Sequence, residues 1–202
     1  MRYTLEYPSE LPTAPDDFLV PDVIRDVVMS AEAAGGFSAI ALSEHPAPSL
    51  KWRRNGGHDT LDPVAALSFM AAVTTDIKLM TNLFVLPFRN PYLSAKALGT
   101  LDILSAGRLI AGVGAGYLRS EFAALGVNVD DRARLLDEAL AALRSIWTEP
   151  EKAGQPSRIH GHQPDVASAT RAAATSADLD RRQYGGRGAP RRRIRQRLDA
   201  AD

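Results

Sequence analysis

The residues most able to do chemistry stand in one short run, Ser43-Glu44-His45-Pro46. An imidazole with an ordinary pKa near ~6.5 takes or gives a proton at neutral pH, and a neighbouring carboxylate can orient it. A lone histidine before a proline is also a common loop residue, so the run needs company. Gly112, Gly114 and Gly116 form a second candidate, since small residues let a backbone approach a ligand. Their spacing is G-x-G-x-G rather than G-x-G-x-x-G, and packing or a tight turn accounts for them equally well. Asn82 stands in an apolar run, where a buried amide must find a partner. Lys51-Trp52-Arg53-Arg54 could grip a phosphate but fits a solvated loop better, and His58-Asp59 after Gly56-Gly57 reads as a turn. His160 and His162 have no further ligand types clustered near them, so no metal site is assigned.

The elements that must position these residues alternate between two periodicities. Residues 2–7 are a strand candidate. Pro21 sits in the first turn of a helix, where its missing N–H costs nothing. Val23, Ile24, Val27, Val28, Ala31 and Ala34 then share one face before Gly35-Gly36 stop the helix. Residues 37–42 (FSAIAL) read as a buried strand. Asp62-Pro63 open a second helix to about Thr74, and residues 77–86 form a strongly apolar strand. Asn90-Pro91 open a third helix that Gly107 ends, and residues 108–113 form a fourth strand. Residues 131–147 make a fourth helix, with Leu135, Leu136, Ala139, Leu140, Leu143, Ile146 and Trp147 inward.

Continuous apolar strands imply burial on both faces, hence a parallel sheet with right-handed crossovers. Both an open doubly wound sheet and an eight-unit barrel fit. In either, ligands bind at the carboxyl ends of the strands, where the long loops 43–61 and 114–130 lie. A complete barrel takes about 250 residues, so four units in the first 150 amount to half of one.

With 202 residues and 45% hydrophobic content, the chain can build a core, and its 24 basic and 24 acidic side chains balance. The absence of cysteine excludes a disulfide scaffold and any thiolate metal or redox site. No apolar run approaches the ~20 residues of a membrane span. Residues 1–8 lack the cationic start and apolar stretch of a signal peptide, which makes a cytoplasmic location the expectation.

Ser43-Glu44-His45-Pro46, Thr81-Asn82-Leu83, Phe88-Arg89-Asn90-Pro91, Ser105-Ala106-Gly107-Arg108 and Gly112-Val113-Gly114-Ala115-Gly116-Tyr117 follow one another within residues 1–150. In order and spacing the set resembles the luciferase-like monooxygenase family, in particular its F420-dependent oxidoreductase branch. The resemblance implies a (β/α)8 TIM barrel, present here as about four βα units. It implies hydride transfer between a deazaflavin, coenzyme F420, or alternatively FMN, and a small organic substrate. His45 would face the reacting centre, with Glu44 orienting it or touching the cofactor. A bulge at Asn82 and Leu83, often carrying a non-proline cis peptide, would support the ring. Gly114, Ala115, Gly116 and Tyr117 would let the backbone approach the cofactor's polar chain. A homodimer is expected by the same resemblance. The alternative from another class is a non-catalytic half-barrel fragment or dimeric binding module.

Residues 151–202 read differently. They carry 11 Lys+Arg against 6 Asp+Glu, few large apolar residues, and the run Arg191-Arg192-Arg193-Ile194-Arg195-Gln196-Arg197. The family's phosphate-binding strand, roughly HPPIWIGGN, is missing. Yet Thr175–Gln183 can be encoded by ACA TCC GCC GAT CTG GAT CGG CGG CAA, and reading from the second base gives that strand. The expectation is a half barrel over 1–150 and an out-of-frame, disordered tail over 151–202, with the frame lost between about Glu149 and Gln163. On that view catalysis by this chain is impaired. An arginine-rich arm for nucleic acid is the competing account, but no aromatic platform or helix-turn-helix accompanies it.

Overall fold

The computed structural model describes residues 3–148. The expectations for residues 149–202, including the loss of frame and the disordered tail, lie outside the described residues.

Four strands form one parallel sheet in the order β1 (Tyr3–Glu6), β2 (Phe37–Leu42), β3 (Lys78–Val85) and β4 (Leu109–Gly114). The crossovers are α1 (Pro21–Ala33), the short α2 (Leu50–Arg54) with α3 (Pro63–Val73), and α4 (Pro91–Leu104). After β4 come α5 (Arg119–Ala124) and α6 (Arg132–Thr148). Successive long helices pack side by side, α1 on α3, α3 on α4 and α4 on α6. Among the described strands the order never reverses, which favours the barrel progression over the doubly wound sheet.

The helices start where the sequence places their caps. The Asp62 side chain accepts the Ala65 N–H at 2.8 Å, and Asn90 accepts that of Tyr92 at 2.9 Å. On α1 the buried stripe is Ile24, Val28 and Ala31, with Val23 and Val27 only partly covered and Ala34 exposed beyond the helix end. Two apolar clusters fill the space between sheet and helices. One joins Tyr7, Ile40, Leu42 and Leu79 to Val28, Leu67, Met70 and Leu101. The other joins Phe84 and Val113 to Leu98, Leu136, Ala139 and Leu143. Each fully buried leucine contributes roughly 1.5–3 kcal/mol.

Two charged side chains fix the turn between α3 and β3. The turn at Ala106 (φ 53°) and Gly107 (φ 79°) brings Arg108 back under the sheet. Its guanidinium donates to the carbonyls of Ala71, Thr74, Ile77 and Ser105 and to Thr74 Oγ1, at 2.7–3.1 Å. From the other side, Glu32 accepts the N–H groups of Thr75, Asp76 and Ile77. Burial alone would raise the Glu32 pKa. Those three N–H groups and the charge of Arg108 outweigh it and hold the carboxyl below its ordinary value.

A carboxyl depressed in the folded state stabilises above its unfolded pKa, about 4.3, and that contribution is lost as pH falls through the folded value. The expected result is that Glu32→Gln lowers the urea midpoint at pH 7 and shows a shallower loss of stability on acidification below about pH 5. Parallel acid dependence in the two proteins would contradict this.

Candidate active site

The loops after β2, β3 and β4 converge at the carboxyl end of the sheet. Between Thr81 and Phe84 the β3–β4 register shifts, and the Asn82–Leu83 peptide bond is cis. Asn82 and Leu83 border a pocket that Ser43, Glu44, His45, His58, Val85, Phe88, Gly116, Tyr117, Glu121 and Glu6 complete.

His45 meets a carboxylate from far along the chain. Its Nδ1 lies 3.3 Å from Oε2 of Glu121, and the two side chains are 8% and 2% exposed. The other Glu121 oxygen accepts the Ala47 N–H at 3.3 Å, so one carboxylate fixes both the histidine and the loop carrying it. Rings close around His45, with centroids of Trp52 at 4.5 Å, His58 at 5.1 Å and Tyr117 at 6.1 Å. His58 Nε2 lies 3.2 Å from Ser43 Oγ.

Glu44, expected to orient His45 or touch the cofactor, has other partners. It accepts the Val85 N–H at 2.6 Å and pairs with Arg89, whose guanidinium lies 4.1 Å over the Phe84 ring. Burial raises the Glu44 pKa, while Arg89 and the Val85 N–H oppose the rise. Glu44 thus ties the β2 loop to the end of β3 while still lining the pocket, and the carboxylate that meets His45 is Glu121.

The glycine run divides as well. Gly116 and Tyr117 line the pocket, whereas Gly114 and Ala115 do not. A Cβ on Gly112 would lie 2.1 Å from the Thr81 carbonyl oxygen, and one on Gly114 would lie 2.8 Å from Leu83 Cδ1. Both positions serve the close approach of β4 to the irregular stretch of β3, and Ala115 packs with the second apolar cluster. Glu6, Val85 and Glu121 are site residues that sequence reasoning did not single out, whereas Trp52 and His58, read there as parts of a solvated loop and a turn, pack against His45. Among the described residues, no group of three or more His, Cys, Asp or Glu is placed to hold a metal ion. No helix among them is long and apolar enough to cross a membrane.

A parallel α/β sheet with a polar pocket at the carboxyl ends of its strands is the frame of a barrel enzyme. A model of the luciferase-like monooxygenase family matches residues 6–183, and the chain belongs to that family. An F420-dependent glucose-6-phosphate dehydrogenase of Gordonia bronchialis is 32% identical over 140 residues, covering 65% of this chain and 39% of that protein. An uncharacterized protein of Mycobacterium tuberculosis is 40% identical over 92 residues, covering 46% of this chain and 33% of its own length. The chain thus spans between about a third and two fifths of these curated relatives. Among solved structures, monooxygenase RslO1 of Streptomyces bottropensis superposes with a TM-score of 0.62 at 28% identity, over 74% of this chain and 44% of that one.

Proposed function

We propose that this pocket is the site of an oxidoreductase that moves a hydride between coenzyme F420, or alternatively FMN, and a small organic substrate. The observation that carries the reading is the buried His45–Glu121 pair beside the interrupted strand at Asn82 and Leu83. Family membership supports the reaction class. The F420-dependent relatives support the deazaflavin, while the FMN complex of a Baeyer–Villiger monooxygenase of Pseudomonas putida shares only the fold.

The residues present fit such a cofactor. Asn82, Leu83, Gly116 and Tyr117 combine a carboxamide, apolar surface and an approachable backbone along one pocket, as a planar ring with polar edges requires. Gly114 and Ala115 support them from behind. The cofactor, when bound, supplies the hydride acceptor or donor. The chain's own part is to handle the proton. Glu121 accepts from His45 Nδ1–H and so fixes the tautomer whose Nε2 lone pair takes a proton from the substrate. The same carboxylate stabilises the imidazolium that results.

Titration of F420 and FMN into the purified chain, read by cofactor fluorescence, tests this. Saturable binding of F420 is expected, weakened about tenfold (1.4 kcal/mol) or more by Tyr117→Ala. No saturable binding of either cofactor would contradict it. The second reading, a non-catalytic half-barrel or dimeric binding module, is favoured by β1 and β4, whose outer edges pair with no strand among the described residues.

The division at residue 150, the frame lost between 149 and 163 and the resulting weak catalysis belong to the same proposal. The family match itself runs past that boundary. Resequencing codons 145–165 decides it: an inserted or missing base supports the reading, and an intact frame overturns it.

A further inference from the structure

His58 lines the pocket beside Ser43 and His45, yet the proton transfer by His45 and Glu121 does not use it. Its Nε2 lies 3.2 Å from Ser43 Oγ, and its ring meets that of His45 edge to face, with centroids 5.1 Å apart. Ser43 is itself held in place. Its N–H is accepted by Glu10, and its carbonyl accepts from the Thr60 hydroxyl at 3.3 Å. His58 therefore stands on a clamp that joins the two ends of the loop between β2 and α3. The imidazole of His45, by contrast, is enclosed. It forms with Glu121 a pair only 8% and 2% exposed, and the rings of Trp52, His58 and Tyr117 surround it. Of those three rings, the imidazole is the one whose chemistry takes and gives a proton near neutral pH. His58 is also partly open to solvent.

We propose that His58 is the proton relay of this site, carrying to solvent the proton that His45 takes from the substrate. The proposal rests on His45 being the group that handles that proton, and it adds where the proton goes next. A water held on the Ser43 hydroxyl joins the two rings. The proton leaves His45 Nε2 for that water, which gives one of its own to Ser43 Oγ. The Ser43 hydrogen passes to His58 Nε2, and His58 releases its other ring proton to solvent. Each group ends with the charge it began with. Transfer between two imidazoles favours neither side chemically, so no stronger acid or base is needed. Passage to Glu121 would instead leave the proton on a carboxyl that is only 2% exposed. The charged groups around the relay are the Arg53–Asp59 pair beside His58, Glu10 on the Ser43 N–H, and Glu121 on His45.

Proton exchange at His45 can be read in the full chain by nitrogen NMR of labelled histidine rings. Line widths near the His45 titration midpoint, in weakly buffered solution at constant ionic strength, give the rate at which its charged and neutral forms interconvert. His58→Gln keeps a hydrogen bond to Ser43 but carries no proton, and His58→Phe keeps the ring contact with His45. Both are expected to slow the interconversion about tenfold or more. Free imidazole added to the solution is expected to restore the rate in both variants and to change the parent chain little. Ser43→Ala is expected to slow it as well. A rate in His58→Gln equal to that of the parent chain would overturn the proposal, as would a slowing that imidazole does not relieve. The rate is read with or without cofactor, so this result and the F420 titration fail independently.

Discussion

Replacing Glu121 by alanine is expected to destabilise the fold by about 2–4 kcal/mol, with Glu121→Gln costing less. The carboxylate is nearly fully buried and meets two partners that no other described group replaces, His45 Nδ1 and the Ala47 N–H. Alanine leaves both without an acceptor and opens space beside Phe122 on the same short helix. Glutamine keeps one acceptor oxygen but can present its amide N–H₂ to the histidine, which forces the opposite imidazole tautomer. Urea denaturation of the two variants, followed by circular dichroism, checks the order. Equal stability of Glu121→Ala and the parent chain would show that the pair is not formed.

Arg108→Met is expected to cost about 3–5 kcal/mol, the larger of the two effects. Methionine fills much of the same space but removes five hydrogen bonds to four carbonyls and one hydroxyl, all within the turn that joins α3 to β3 and the end of α4. Glu32 loses the positive charge that lowers its pKa, so the double variant with Glu32→Gln is expected to cost less than the two single effects added. Additive losses in thermal or urea unfolding would show that the two side chains act independently.

The parts of the fold legible in the sequence were those with local causes. Pro21, Pro63 and Pro91 start helices because proline fixes φ locally, and Asp62 and Asn90 add a side-chain acceptor that Val20 before Pro21 does not have. β2, β3 and β4 were found because continuous apolar runs have little other use, while β1, Tyr3-Thr4-Leu5-Glu6, is no such run and was only a strand candidate. β1 and β3 come out shorter than read, and Leu86–Phe88 turns into a short helical segment. The helices α2 and α5, of five and six residues, carry no amphipathic period to detect.

The site was legible only in part. Adjacency in sequence made Glu44 the natural partner of His45. Yet consecutive residues of an extended segment point to opposite sides, and the alternation that buries one against β3 aims the other at α5. The carboxylate that does reach His45 is 76 residues away, in a stretch, Arg119-Ser120-Glu121-Phe122, that reads as an ordinary solvated helix start. His58 looked like part of a turn because nothing local ties it to Ser43, 15 residues earlier. Glu6 borders the pocket from the end of a strand, where an exposed carboxylate needs no explanation.

The central claim is that the end of the sheet around His45, Asn82 and Tyr117 receives the cofactor. Backbone-amide NMR of the full chain during addition of F420 tests it most directly. The account predicts saturable shifts concentrated at His45, Asn82, Leu83, Gly116, Tyr117 and Glu121, with the amides of Arg25, Lys96 and Glu138 on the outer helices unmoved. Shifts centred on the outer helices, or none at saturating F420, would contradict it.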